Sequence, residues 1–319
     1  MDLVKKKINE SRNIKENSLR AYTISINKIH YALFKNHTLD KDKPLDFLKK
    51  TQDVLDTIKD LKLNTKKNYI SAIIVGLSSM GDYDDELIIY REKLEKLNKE
   101  YKDIIEKNEK DDNQKENWVS LFALKQVMNS YKRDLLDREV FKKKELTKTQ
   151  TDILQMWVVA NLYLHDSNPP IRLDYGNMKM INNTDFNNLS ETELDNNNYL
   201  IVKSRTTKSF HFAQYKTKRT YGIKTIRVGK VLNSVLNIWL KFNKTSYLLI
   251  DSRNQAMTSN KLSKYITKVF QPTGKKITIN TIRHIYISEK HPVSVNENKK
   301  KTADLMGHSV NTQEAYSKN

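Results

Sequence analysis

The chain has no cysteine, which excludes a disulfide framework and a thiolate metal site. Glycine and proline are scarce, 7 and 5 among 319 residues, so long helices are expected and tight turns should be few. Acidic residues fall well short of basic ones, 38 against 57, and the net charge is +19. An excess of that size favours a polyanionic partner, nucleic acid first and an anionic membrane surface second. No apolar run approaches the roughly 20 residues that span a bilayer. Met1-Asp2-Leu3-Val4-Lys5-Lys6-Lys7 lacks the apolar core of a signal peptide, so a soluble intracellular protein is expected. No basic amphipathic helix stands apart from a globular segment, which leaves the membrane surface as a remote reading. No internal repeat is present.

The length suits two domains rather than one core. In the first hundred residues apolar positions recur at helical spacing. Leu19, Tyr22, Ile26, Ile29 and Leu33 follow a Ser18 cap, and Leu45, Phe47, Leu48, Val54, Leu55 and Ile58 follow Pro44. Tyr69, Ile70, Ile73, Ile74 and Leu77 follow Asn64-Thr65, and Tyr90, Leu94, Leu97, Tyr101 and Ile104 follow the break at Gly81-Asp82. This predicts an all-α unit with a basic exterior: Lys49, Lys50, Lys59, Lys62, Lys66 and Lys67. Such lysines are either a solvated face or a phosphate-tracking one, and the net charge favours the second. Residues 107–117 contain no apolar side chain and read as a linker. The domain boundary is placed between 112 and 113, giving a helical unit over 1–112 and a second domain over 113–319.

The second domain is expected to be mixed. Residues 151–164 are apolar nearly all round, as in a core helix, and lead to Pro169-Pro170-Ile171-Arg172. Short β-like runs follow at Tyr199–Val202, 210–215 and 225–228, with a turn at Gly222. Helical spacing returns with Val231 to Leu240 and Leu262 to Phe270. The expected class is therefore mainly α with a small antiparallel sheet, an α+β domain preceded by an all-α one.

The last forty residues carry Thr281-Ile282-Arg283-His284, then Leu305-Met306-Gly307-His308-Ser309, then Tyr316. Breaking a phosphodiester without a metal needs a nucleophile, cations around the non-bridging oxygens and an acid for the leaving oxygen. Tyrosine can form a covalent phosphotyrosine. Arginines hold phosphate oxygens in forked geometry, and lysine or histidine can deliver a proton. No Asp/Glu/His cluster shows metal-ligand spacing, and neither metal nor cofactor is expected.

This arrangement resembles the tyrosine recombinase family, the lambda-type integrases, over about residues 118–319. Arg283 matches the second catalytic arginine, His308 the late histidine and Tyr316 the nucleophile. The resemblance puts the first arginine at Arg172, in surroundings like those of integrases from viruses and mobile elements. It puts the catalytic lysine on a β-hairpin turn, at Lys216 in Tyr215-Lys216-Thr217-Lys218-Arg219, with Lys218 as the alternative. The N-terminal unit fits the family's core-binding domain in size and character only.

Three features depart from the family pattern. Asn280 stands where a histidine leads the signature; it can hydrogen-bond a phosphate oxygen but cannot shuttle a proton near neutral pH. The interval from His308 to Tyr316 is about one residue short. Only three residues follow the tyrosine, so either protomers assemble through another surface or the chain is a trimmed one.

His284 reads equally as catalytic support or packing, and His165 and His211 as structural. Asp174 either holds an arginine or is a surface acid. Lys66, Lys67, Lys203, Arg205, Lys208 and Arg219 are the candidate DNA contacts. The resemblance implies a site-specific recombinase or integrase acting on double-stranded DNA through a 3′-phosphotyrosyl intermediate, as a homotetramer on two sites, wherever in the cell its target DNA lies. The alternatives are a type IB topoisomerase, which rejoins the same strand with the same residues, and a decayed scaffold that binds DNA without cutting it.

Overall fold

The computed structural model describes residues 1–36, 38–107, 109–166, 168–290 and 296–316, the side chains of 296–299 and 314 excepted. Contacts divide the chain into two compact units, Met1–Lys107 and Asn108–Asn319.

Among its described residues the first unit has helices and no strand: α1 (Asp2–Ser11), α2 (Glu16–Phe34), α3 (Thr51–Ile58), α4 (Leu63–Met80) and α5 (Asp84–Glu106). Its core is built from the expected faces, with Leu19, Ile26, Ile29, Val54, Ile70, Ile73, Leu77 and Tyr90 all buried. Val4 and Ile8 of α1 join them, although Leu3, Val4 and Ile8 among its charged residues gave that helix no legible stripe. Helix α2 begins ahead of the expected Ser18 cap. The Ser18 amide already bonds the Lys15 carbonyl, which places it within the first turn. Gly76 lets α4 approach closely: a Cβ there would lie 3.0 Å from Ile26 Cδ1 and 3.2 Å from Leu45 Cδ1. The Tyr90 hydroxyl donates to the Leu48 carbonyl at 2.8 Å, so the largest buried ring brings a polar partner with it.

The second unit opens with α6 (Asp112–Asn117), inside the stretch expected to be a linker. A capping box makes this short polar helix: Asp111 accepts from the Gln114 amide while the Gln114 side chain accepts from the Asp111 amide. Asn117 is buried and accepts the Lys276 amide at 2.8 Å, tying the segment to the domain that follows. Then come α7 (Leu121–Asp137) and α8 (Lys148–Leu164). Thr147 and Gln150 form the capping box of α8. The helix is buried almost all round, with Leu154, Trp157, Val158, Val159, Ala160, Leu162, Tyr163 and Leu164 in the core. At roughly 1.5–3 kcal/mol for each large side chain removed from water, α8 is the chief apolar anchor of the unit.

A four-stranded sheet follows: β1 (Lys179–Asn182), β2 (Tyr199–Val202), β3 (Lys208–Phe212) and β4 (Lys224–Arg227), in spatial order β1-β2-β3-β4. Strands β2, β3 and β4 pair antiparallel, with Leu200 opposite Phe210 and Phe210 opposite Ile226. The edge strand β1 lies parallel to β2, so the sheet is mixed. His211 bridges to Thr225 Oγ1 at 3.2 Å and to the Leu194 carbonyl at 3.4 Å, a structural placement. Helices α9 (Asn183–Asn187) and α10 (Glu191–Asn196) fill the β1–β2 connection, and α11 (Lys218–Tyr221) lies in the β3–β4 connection. After the sheet come α12 (Lys230–Phe242), α13 (Ser259–Val269), α14 (Ile279–Lys290), α15 (Asn296–Met306) and α16 (Val310–Tyr316). Helices α12 and α13 pack on α8, and α14 packs between α7 and α16. The fold is α+β, mainly helical. Among the described residues no helix is long and apolar enough to cross a membrane.

Candidate active site

Helix α14 is where core and chemistry meet. Ile279, Ile282, Ile285, Tyr286 and Ile287 bury it on most sides, and Arg283 goes into the interior with them at 0% exposure. Its guanidinium donates from Nη1 to the Pro170 carbonyl at 2.7 Å and lies against the Tyr316 side chain. Nε and Nη2 are buried and, among the described residues, have no hydrogen-bond partner. The guanidinium carbon stands 4.9 Å from the centre of the Tyr316 ring. Burial lowers the pKa of Arg283, the nearby Tyr316 opposes that shift, and Arg172 adds to it. An arginine this buried, with two donors unspent, is the arrangement expected of a site awaiting an anion.

The Arg172 segment is held at several points. Pro169 and Pro170 restrict the backbone to extended conformations, and the Pro170 carbonyl faces Arg283. Asn168 donates to the Leu162 carbonyl at 2.6 Å and to the Tyr175 hydroxyl at 2.8 Å. The Tyr163 hydroxyl of α8 donates to the Arg172 carbonyl at 3.1 Å. Arg172 is half-buried, and its charge acts on Arg283, His308 and Asp174 alike. Asp174 is no surface acid. Burial pushes its carboxyl up to about 6, against the pull of Arg172 and Arg283.

His308 follows a turn that only glycine suits. Gly307 has φ +69°, and a Cβ there would lie 3.3 Å from both Thr217 Oγ1 and Tyr215 Cε2. His308 is 2% exposed. Its Nδ1–H donates to the Ser309 carbonyl at 3.0 Å, which leaves Nε2 as an acceptor in the neutral ring, and that atom has no partner. Burial lowers its pKa to about 4, with Arg283, Arg172 and Lys224 adding to the effect.

Tyr316 ends α16 half-buried among these groups. Its ring meets His284 edge-on at 4.6 Å and His308 at 5.4 Å. His284 Nδ1–H donates to the Tyr316 carbonyl at 2.9 Å. His284 therefore holds the backbone and ring of the tyrosine. The chain's own tyrosine thus lies over its own arginine.

Four predicted residues, Arg172, Arg283, His308 and Tyr316, come together. Lys216 does not join them by contact. It sits on the β3–β4 connection with its side chain exposed. The backbone around it is nevertheless docked on the His308 turn, because Thr217 Oγ1 donates to the Gly307 carbonyl and the Tyr215 ring packs on Gly307. Lys218 is tied to Asp195, 3.2 Å from its carboxylate. Lys224, a basic neighbour of Lys216 expected at most to track phosphates, lies at the site instead. Its ammonium bonds the Asp304 carbonyl and lies 3.2 Å from the Asp304 carboxylate, close enough to His308 to disfavour its protonation. Gln313 was missed. It is fully buried one turn before Tyr316, and both its amide atoms lack partners. Its spacing of three from the tyrosine was the available signal. Asn280 is exposed on the first turn of α14.

Lys208 must be corrected as a DNA contact. It is 1% exposed, and its ammonium is enclosed by Asn233 Oδ1 at 3.0 Å, Asn237 Oδ1 at 2.5 Å and two backbone carbonyls. A neutral polar cage satisfies the charge, so none of it is offered to a phosphate. Lys203, Arg205 and Arg219 are exposed. In the first unit Lys66 is half-buried, and the Lys67 ammonium lies 3.8 Å over the Tyr101 ring.

No family model matches the chain, and neither does any curated protein. Among solved structures the chain is similar to the crystal structure of XerA recombinase, over 98% of this chain and 91% of that one. That likeness, at 10% identity and a TM-score of 0.41, is too slight to carry an argument of its own.

Proposed function

We propose that the chain is a tyrosine-type site-specific DNA recombinase or integrase. One observation carries the reading: Arg283 Nε and Nη2 and His308 Nε2 are buried without partners beside the Tyr316 ring. A scissile phosphate seated there would take up the two arginine donors. Arg172 would add a second cation from the half-buried loop.

The Tyr316 hydroxyl attacks phosphorus, forming the P–O bond of a 3′-phosphotyrosine as the bond to the 5′ oxygen breaks. The tyrosine proton passes to the unpaired Nε2 of His308, an acceptor because Nδ1–H is committed to Ser309. Lys216, exposed on the β3–β4 connection, protonates the leaving oxygen. A 5′-hydroxyl from a partner duplex then attacks the phosphotyrosine and completes strand transfer, with the bond energy retained throughout. The resemblance to the tyrosine recombinase family implies a tetramer on two duplex sites, with the all-α unit as the second DNA-binding element.

Nicked suicide duplexes from the ends of the parent element, incubated with the protein, should yield a denaturant-resistant protein–DNA adduct. Absence of adduct on every candidate site, or its survival in Tyr316→Phe, would overturn the mechanism. A second reading, a type IB topoisomerase, is favoured by one feature: the tyrosine lies over the arginine of its own chain, as a monomer would need. Supercoil relaxation by dilute protein, with no recombinant product from paired sites, would select it.

A further inference from the structure

We infer that Asn198 is a positioning residue for proton delivery, the group that sets the lysine hairpin in register with the arginine loop. The inference rests on the reading above. Asn198 is 6% exposed and lies just before β2. All four hydrogen-bonding positions of its side-chain amide are spent on backbone. Nδ2 donates to the Asp174 carbonyl and to the Gln214 carbonyl, each at 2.9 Å. Oδ1 accepts from the Ala213 amide at 2.9 Å and the Gln214 amide at 2.7 Å.

These partners belong to two segments only. Asp174 is two residues beyond Arg172, and Gln214 is two residues before Lys216. One side chain therefore joins the backbones that carry the first arginine and the lysine. Asn198 is itself fixed, because its own carbonyl accepts the Lys179 amide at 2.9 Å across the β1–β2 pair. No other residue type matches this pattern at this length. Aspartate lacks both donors, and serine and alanine lack the fork. The Lys216 side chain is exposed and, among the described residues, makes no hydrogen bond or ion pair, so the position of its ammonium depends on where the hairpin backbone leaves the sheet.

A loose hairpin should impair proton delivery to the leaving oxygen and little else. That separates positioning from a general structural role. In a nicked duplex with a 5′-bridging phosphorothiolate at the scissile position, the P–S bond breaks and a thiolate departs. A thiolate is a stable anion near neutral pH and needs no proton to leave. Asn198→Ala should slow adduct formation on the all-oxygen duplex by about 10-fold to 100-fold, within the range general acids contribute. On the phosphorothiolate duplex it should run within about threefold of the parent protein. In a Lys216→Ala background it should cause no further slowing on the all-oxygen duplex, because residues acting through one step are not additive.

Equal slowing on both duplexes, undiminished slowing on top of Lys216→Ala, or no slowing at all would overturn the inference. Should Asn198→Ala melt at the assay temperature, Asn198→Ser carries the same comparison. Failure of the parent protein to form adduct on either duplex would instead overturn the recombinase reading.

Discussion

Arg283→Met should leave the fold as stable as before, or more so, while removing its response to phosphate. The guanidinium is fully buried, yet two of its nitrogens have no partner. Each unmade hydrogen bond of a buried donor costs about 1–3 kcal/mol, and a charged group sits at the upper end. Against this stand one charge-assisted bond to the Pro170 carbonyl, worth about 1.5–3 kcal/mol, and the stacking on Tyr316, worth about 1–2 kcal/mol. Methionine fills most of the volume and brings apolar burial of about 1.5–3 kcal/mol. With about 2 kcal/mol more lost because the Pro170 carbonyl is left without its donor, the central values sum to a gain of about 1–2 kcal/mol. Truncating a buried, fully paired arginine would cost about 3–5 kcal/mol instead. For a unit of this size the expected shift in Tm is from zero to about +10 °C. Inorganic phosphate should raise the Tm of the parent protein, by an amount equivalent to about 2.7 kcal/mol at a hundred times its Kd, and leave the variant unmoved. Melting curves of both proteins across a phosphate series measure both effects. A variant destabilised by several kcal/mol, or a phosphate response equal in the two proteins, would refute the idea that Arg283 holds unspent donors for an anion.

Two buried groups should give opposed pH dependences. His308 binds its proton less readily in the folded chain, about 4 against the usual 6.5, so its contribution to stability is lost as pH falls through that window, up to about 3 kcal/mol. Asp174 binds its proton more readily, about 6 against 3.8, so its contribution is lost as pH rises between those values, up to about 3 kcal/mol. Denaturation of His308→Gln should therefore show stability falling with rising pH between about 4 and 6, and Asp174→Asn the reverse; parallel profiles would contradict both assignments. Gly307→Ala should cost about 1–3 kcal/mol in chemical denaturation, because φ is +69° and the new Cβ meets Thr217 and Tyr215; a neutral result would mean the turn is looser than drawn. His284→Phe keeps a ring against Tyr316 but drops the bond to its carbonyl, worth about 1 kcal/mol, so single-turnover cleavage at saturating DNA should slow about tenfold or less. An unchanged rate would show that the nucleophile does not depend on that bond.

What was legible in the chain followed from local physics. The stripes of α2, α4 and the first half of α5 and the all-round burial of α8 are period effects, and they appear in the structure where the spacing puts them; Ile104, expected on the α5 stripe, is 51% exposed. Strand β1 was not legible, because Lys179-Met180-Ile181-Asn182 has no alternation and is held by backbone pairing to β2. Helix α6 was hidden by its charge, although the Asp111 and Gln114 spacing could have revealed its cap. The linear order of Arg172, Arg283, His308 and Tyr316 could be read only through the resemblance to the tyrosine recombinases, with Gly307 and the double proline as local support. Their convergence could not, since it depends on bonds that span more than a hundred residues, such as Arg283 to Pro170. Lys208 shows the opposite failure. Sequence reports a charge but not its surroundings, and a lysine in a cage of amide oxygens looks like any basic residue.

The bond from Arg283 to the Pro170 carbonyl also decides where mutation can do harm. Its acceptor is main chain, so no side-chain substitution at Pro170 deletes it. A change at Pro170 keeps the oxygen and alters only how firmly it is aimed. The spacing between the two arginine segments is therefore sheltered on one side and exposed on the other. In a saturation library the tolerated changes should gather at Pro170, while intolerance on the cleavage readout concentrates at Arg283 itself.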